Sequence, residues 1–256
     1  MTTVRQTLFL TARVLRNLAR QPIWIVVMIV QPMFWLLLYS QLFRRITDLP
    51  GFGTTSYIDY LTPGVAVMTA FFSGSWAGMG MIEDLDRGVV ERFLTTPARR
   101  GAVVLGRILE SAIVATLQAI LILVTGLALG ATNGGPAGWL VILLASFLVA
   151  AGFAGLSHGV ALLTRQEASM IAVAQFIGLP LLFFSSLLIA RDLIPGWMRS
   201  LSLLNPVEWA VRAARGEALP GTDWAEMGAF LLLLVAFAGA CGAFATWCFR
   251  SYQRAL

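Results

Sequence analysis

The sequence predicts an all-α integral membrane protein with six transmembrane helices, and three observations support this class. Charged residues make up only 12% of the 256 residues, against about 25% in soluble proteins. Hydrophobic residues make up 58%, and the mean hydropathy is +0.81. The apolar residues form six runs, each comparable to the roughly 20 residues of helix that cross a bilayer core. Residues 1–256 are therefore predicted to be a single transmembrane domain.

An amphipathic segment precedes the first span. Between residues 3 and 20, four arginines share one helical face, and small or apolar residues share the other. Such a helix lies at the headgroups with its arginines toward anionic lipid. A soluble amphipathic helix packed on a domain is the alternative, although no soluble domain follows it.

The predicted spans cover residues 22–43, 60–82, 103–129, 139–163, 168–190 and 227–249. Pro32 predicts a kink in the first span, and the many small residues of the second allow close helix contacts in lipid. Because only residues 164–167 separate the fourth span from the fifth, these two are expected to be antiparallel neighbours. Residues 191–226 form a mixed segment with three prolines.

The distribution of arginine predicts the orientation. Of the 18 arginines, 12 lie on the side that carries both termini and the polar stretch between the second and third spans. Basic residues collect on the cytoplasmic side of membrane proteins, so both termini are expected there. The net charge of +5 does not indicate a nucleic-acid partner, because the arginines sit beside apolar runs rather than in one patch.

Neither catalytic nor metal-ligating groups are predicted. One histidine, His158, cannot form a metal site alone, and it is expected to be a hydrogen-bonded packing residue. Glu110 is expected to pair with Arg107, three residues earlier on the same helical face. Cys241 and Cys248 are about 10 Å apart along a helix, too far for a disulfide. A phosphate-binding G-x-x-x-x-G-K-[ST] loop is absent from the sequence, so energy from ATP requires a partner.

The polar stretch from Met81 to Ile108 interrupts the apolar sequence. Glu83 to Arg87 is predicted to open a helix, because acidic residues favour a first turn. Val90, Phe93 and Leu94 then form an apolar ridge. A short amphipathic helix between two spans can dock in a groove of a cytosolic protein. A solvated loop lying on the lipid accounts for these residues equally well.

At these residues the sequence resembles the permease subunits of type 2 ABC exporters. In this region the family has the pattern E-x-G-T-x-E-x-L-x-x-T-P-x-R followed by G-K, and Asp86, Gly88, Glu91, Thr96, Pro97 and Arg99 fall on it. Val89 replaces the usual Thr and Arg107 the usual Lys. The resemblance implies that residues 83–100 are a coupling element that docks on a nucleotide-binding subunit. The expected ATPase-coupling residues are Glu83, Asp84, Asp86, Arg87, Gly88, Glu91, Arg92, Phe93, Thr96, Pro97 and Arg99.

A second resemblance covers residues 179–216. It is similar to the family's fifth span, followed by P-x-W, then N-P and an amphipathic helix. In that family the segment dips back into the outer leaflet, so residues 191–226 are expected to be re-entrant and external. The expected exit gate is Pro195, Trp197, Asn205 and Pro206. The Ser185-Ser186 pair is most similar to the branch that contains daunorubicin-resistance and nodulation-factor exporters.

The resemblance implies a half-transporter in a bacterial plasma membrane. Two permeases, identical or sister chains, would assemble with two ABC ATPase subunits that hold ATP and Mg, while this chain binds no cofactor itself. A lipophilic substrate would pass along the permease dimer interface. The expected translocation path is Phe34, Trp35, Phe71, Phe72, Phe176, Phe183 and Phe184. Two alternatives stay open: export of a lipid-linked polysaccharide, and a membrane sensor or immunity partner that binds its ligand without moving it.

Overall fold

The computed structural model describes residues 22–43, 56–87, 100–132, 134–187, 191, 194–216 and 224–254. Within these ranges the chain forms eight α-helices and no β-strand. They are α1 (Pro22–Leu42), α2 (Tyr57–Asp86), α3 (Arg100–Ala128), α4 (Gly135–Thr164), α5 (Glu167–Phe183), α6 (Gly196–Ser202), α7 (Pro206–Arg215) and α8 (Trp224–Arg254). The all-α class is confirmed for this part of the chain. The predicted interfacial helix, residues 3–20, lies outside it.

Four of these helices are long and apolar enough to cross a membrane: α2, α3 over Val103–Ala128, α4, and α8 over Trp224–Tyr252. The protein is therefore a multi-pass membrane protein. The shorter α5 has 17 residues, and the apolar α1 has 21 with Pro32 inside it. The count of six spans stays a prediction.

Helix α4 lies at the centre of the bundle, between α2 and α8. Glycines permit this packing, as the small residues of the second span predicted. A Cβ atom on Gly74 would lie 2.5 Å from the carbonyl oxygen of Ala150, and one on Gly78 would lie 2.6 Å from that of Ser157. On the other side of α4, a Cβ on Gly155 would lie 2.8 Å from the carbonyl carbon of Cys241. Any side chain at these positions would push the helices apart.

The end of α2 corrects one prediction. Glu83 to Asp86 do not open a new helix, because α2 continues without a break to Asp86. The acidic residues lie instead at the negative end of the helix dipole, where they need cations. Glu83 pairs with Arg87, and Asp84 pairs with Arg107 of α3. The remaining expected coupling residues, Gly88, Glu91, Arg92, Phe93, Thr96, Pro97 and Arg99, lie outside the described residues.

Helix α5 ends at Phe183, whereas the predicted fifth span runs to residue 190. Residues 184–187 leave the helix as turns and bends. Their backbone groups bond side chains of α7 and of the residue before it, which replaces the bonds that a continuing helix would supply. Two short helices, α6 and α7, follow α5 in the chain.

Candidate functional site

A cavity of about 740 Å³ opens between α1, α2, α3, α4 and α5. It lies toward the end of the bundle where α2 finishes and α3 begins. Three aromatic side chains form part of its wall: Trp35 of α1, and Phe72 and Trp76 of α2. Polar side chains complete the lining, among them Arg107, Glu110, Gln118 and His158. A membrane-embedded space with both kinds of wall suits a ligand with an apolar body and a polar group.

Arg107 lies between two carboxylates. Its Nη1 atom is 3.4 Å from Oε2 of Glu110, which confirms the predicted pair. Its Nη2 atom also pairs with Oδ2 of Asp84 at the end of α2. The three side chains are only 19–22% exposed, so bulk water screens this cluster weakly. The Asp84–Arg107 pair also ties together the two helices that flank residues 88–99.

His158 is buried as expected, but the expected hydrogen bond is absent from the described residues. It is 1% exposed, it lines the cavity, and neither ring nitrogen has a hydrogen-bond partner among the described residues. The adjacent Ser157 faces α2 instead: its Oγ donates to the carbonyl of Ser75 at 2.6 Å and accepts from the amide of Gly78 at 2.9 Å. One residue further turns the helix by about 100°, so His158 points away from those partners.

The expected path residues are dispersed. Only Trp35 and Phe72 line the cavity. Phe71 is buried and packs edge-to-face on Phe153, with ring centroids 4.6 Å apart. Phe184 lies edge-on to Trp197 at 6.0 Å. The other three are exposed in this single chain: Phe34 (59%), Phe176 (83%) and Phe183 (70%).

A second polar cluster joins the end of α5 to α7 and the start of α2. We call it the α5–α7 joint and define it as Tyr60, Ser186, Leu187, Glu208 and Arg215. Glu208 is 1% exposed. Its Oε2 accepts from the amide of Ser186 at 2.6 Å and from the Ser186 hydroxyl at 2.9 Å, while its Oε1 has no hydrogen-bond partner among the described residues. Buried charges persist only where such bonds compensate them.

Arg215 completes the joint from the last turn of α7. It donates to the carbonyl oxygens of Tyr60 (3.1 Å), Ser186 (2.7 Å) and Leu187 (2.5 Å). The guanidinium carbon also lies 3.5 Å from the centroid of the Tyr60 ring, a cation–π contact. Burial lowers the pKa of Arg215, while Tyr60 and Glu208 act in the opposite direction. Gly64 makes room, since a Cβ there would lie 2.9 Å from the guanidinium.

Two of the expected gate residues belong beside this joint. Asn205 caps α7 by accepting from the amide of Val207 at 2.9 Å, and its Nδ2 donates to the carbonyls of Leu181 (2.6 Å) and Phe184 (3.3 Å) of the α5 end. Pro206 occupies the first turn of α7. The other two lie at the start of α6, where Pro195 precedes the helix and Trp197 is 63% exposed.

Sequence reasoning missed Glu208 and Arg215. The available signal was their spacing: two opposite charges seven residues apart share one face of a helix, and they flank the apolar residues of α7. A solvated helix explains such a pattern equally well. Only the fold shows that this face is buried against Tyr60, more than a hundred residues earlier in the chain.

Comparison with known proteins adds to this geometry. The family model described as ABC-2 type transporter matches residues 5–218. A daunorubicin resistance ABC transporter permease protein of Streptomyces coeruleorubidus is 28% identical over 98% of this chain and 87% of its own length. A probable doxorubicin resistance ABC transporter permease protein of Mycobacterium tuberculosis is 26% identical over 98% and 90%. A putative transport permease of Cyanophora paradoxa is 29% identical over 83% and 73%.

The family match covers well over half of the chain, and two of these relatives align along nearly all of it. The resemblance to type 2 exporter permeases, and to the branch of the daunorubicin-resistance proteins, is thereby confirmed. This multi-pass membrane protein belongs to the ABC-2 type transporter family of permeases.

Proposed function

We propose that this chain is the membrane subunit of an ATP-driven exporter that moves amphipathic or lipophilic compounds, such as drugs, antibiotics or lipids, out of a bacterial cell. The observation that carries the proposal is the similarity of 98% of the chain to two permeases whose names describe daunorubicin and doxorubicin resistance. The aromatic-walled cavity supports it, because its volume of about 740 Å³ falls in the range of drug-sized sites.

In this proposal the chain crosses the plasma membrane six times, with both termini in the cytoplasm. It pairs with a second copy or a sister permease, and each permease docks on an ABC ATPase subunit through residues 83–100. The chain binds no cofactor, and ATP and Mg stay on the ATPase. Exit is controlled by residues 191–226, where Asn205 and Pro206 lie against the α5–α7 joint.

The Asp84–Arg107 pair suggests how docking reaches the cargo. It connects the last turn of α2 to the start of α3, so a push on the segment between them moves both helices together. Arg107 also lines the cavity, and the push therefore alters the shape of the cavity. This is rigid-body motion of packed helices between two states, in which ATP binding supplies the displacement and the joint holds the far end of α5 in place.

The test is ATP-dependent uptake of a lipophilic fluorescent drug into inside-out vesicles that contain this chain and its ABC ATPase partner. We expect uptake that requires ATP and both subunits. Vesicles with either subunit alone, and vesicles with a hydrolysis-deficient ATPase, are the controls. A stable complex that hydrolyses ATP but takes up no drug would overturn the proposed cargo class and favour a lipid-linked glycan. Uptake without this chain would overturn the assignment itself.

A further inference from the structure

The cluster of Asp84, Arg107 and Glu110 carries more negative than positive charge, and two of its members, Arg107 and Glu110, line the cavity. Arg107 is the one cationic side chain in its described lining, and it is paired with both Asp84 and Glu110. One guanidinium therefore faces two carboxylates, which leaves an excess of one negative charge. Charge interactions are strong in a weakly screened site, so this cluster attracts a cation. An anionic ligand would have to displace a carboxylate from Arg107.

His158 gives an independent indication of a ligand. Buried polar groups in proteins almost always have hydrogen-bond partners, yet both ring nitrogens of this side chain lack one among the described residues. It is 1% exposed and faces the cavity. A neutral imidazole offers one acceptor and one donor. An N–H group of a ligand would satisfy the acceptor without adding a charge to the protein.

The aromatic side chains of the cavity wall indicate which kind of cation fits. Trp35, Phe72 and Trp76 present π faces, which attract organic cations and pack against flat apolar rings. A bare metal ion prefers a shell of several oxygen ligands, which this aromatic wall does not supply. The volume of about 740 Å³ accommodates a drug-sized molecule.

We propose that this cavity, inside one permease chain, is a binding site for an amphipathic organic cation, with the carboxylate of Glu110 attracting the charge, His158 accepting a hydrogen bond and the aromatic rings holding the apolar body. That the bound cation is cargo rests on the proposed function. The binding site itself does not require ATP or the ATPase.

Equilibrium binding of two matched probes tests the site. Tetraphenylphosphonium and tetraphenylborate have similar size and the same four phenyl rings but opposite charge. Binding of each is measured to the full chain in lipid nanodiscs, without ATP, and binding to empty nanodiscs is subtracted. We expect saturable binding of the phosphonium and at least tenfold weaker specific binding of the borate. Equal binding of both probes, or no saturable phosphonium binding, would overturn the proposal.

Three variants locate the site. Glu110→Gln keeps the side-chain shape and is expected to weaken phosphonium binding about tenfold or more. His158→Leu leaves the charge unchanged, and it is expected to weaken binding of a protonated aromatic amine about fivefold while sparing the phosphonium, which has no N–H group. Glu167→Gln makes the same chemical change at an exposed carboxylate outside the cavity and should have no effect. Unchanged binding by Glu110→Gln would overturn the site.

Folding of each variant is checked by its elution as a single peak and its thermal unfolding. If Glu110→Gln does not fold, a competition binding experiment on the wild-type chain replaces it. We expect a flat aromatic ammonium to displace the phosphonium and an equally apolar neutral analogue to leave it bound. Displacement by both compounds equally would contradict the charge selectivity. Phosphonium binding together with failed vesicle uptake would leave this site standing and reject the proposed function.

Discussion

The α5–α7 joint and the cavity differ in how far their buried polar side chains are hydrogen-bonded: in the joint only Oε1 of Glu208 lacks a partner among the described residues, whereas both ring nitrogens of His158 do. In the joint, Arg215 donates to three backbone carbonyls and Glu208 accepts two hydrogen bonds from Ser186. In the cavity, His158 is equally buried, but its ring nitrogens have no partners among the described residues. Both regions lie in the same helical bundle, and each contains an arginine and a glutamate.

This difference distinguishes buried polar side chains that hold the helices together from buried polar side chains that a ligand can bond. A compensated buried network specifies one arrangement of helices and resists change, which fits a segment that must hold α5, α7 and the start of α2 together. Uncompensated polar groups around an open space cost stability, and they persist where a ligand supplies the missing partner. We therefore expect substitutions in the joint to reduce stability, and substitutions in the cavity to reduce binding.

The largest effect is expected for Arg215→Ala. The change removes a donor from three buried carbonyls, of which that of Ser186 keeps the Tyr60 hydroxyl, and it leaves the charge of Glu208 without a nearby cation, which should cost about 3 kcal/mol or more. The measurement is thermal unfolding of the full chain in detergent. Arg212→Ala is the matched control on the same helix, because Arg212 pairs with the half-exposed Glu226 and lies over the Phe230 ring, contacts that together should contribute only about 1 kcal/mol. Equal losses from the two variants would contradict a structural role for the joint.

Gly74→Ala should come next. The new methyl group would lie 2.5 Å from the carbonyl oxygen of Ala150, so α2 and α4 must separate, at a cost of about 1–3 kcal/mol. Gly239→Ala is the control, since a Cβ there meets no atom within 4 Å. The same thermal measurement compares them. A Gly74→Ala chain as stable as Gly239→Ala would show that the α2–α4 contact is looser than described.

Two variants of Asn205 distinguish the stability contributed by the α7 cap from that contributed by the hydrogen bonds to the end of α5. Asn205→Ala loses the α7 cap and both bonds to the α5 end, which should cost about 1–2 kcal/mol. Asn205→Asp retains an acceptor for the amide of Val207 but loses the Nδ2 donors, so an intermediate loss is expected. Thermal unfolding of the two variants beside the wild type gives the ranking. An Asn205→Asp chain no more stable than Asn205→Ala would contradict a contribution of the cap to stability.

The smallest effect on stability, but a clear one on activity, is expected for Asp84→Asn. The change weakens the link between α2 and α3, and drug-stimulated ATP hydrolysis by the assembled transporter should fall about fivefold, corresponding to about 1 kcal/mol. Glu167→Gln is the control, because Glu167 is an exposed carboxylate that lies outside both the cavity lining and residues 83–100. A wild-type rate for Asp84→Asn would remove this pair from the coupling route.

Local patterns predicted what depends on neighbouring residues. Apolar runs predicted the helical membrane class, and the spacing of Arg107 and Glu110 predicted their pair. The stop of α5 at Phe183 could not be predicted in the same way, because it depends on side chains of the later α7 segment. The partners of Arg215 also lie far away in sequence, as Tyr60 shows. The burial of His158 was predicted, but its hydrogen bond was not found, because the polar groups near Ser157 in sequence face a different helix.

The most direct test of the contrast between the joint and the cavity is photoaffinity labelling of the full chain in nanodiscs. The probe is an aromatic amine carrying a diazirine, and labelled peptides are identified by mass spectrometry with and without excess tetraphenylphosphonium. We predict competed labelling at the cavity wall, on peptides that contain Trp35, Phe72 or Trp76, and none at the joint. Labelling that concentrates on α7 or the end of α5, or cavity labelling that the competitor leaves unchanged, would contradict the account.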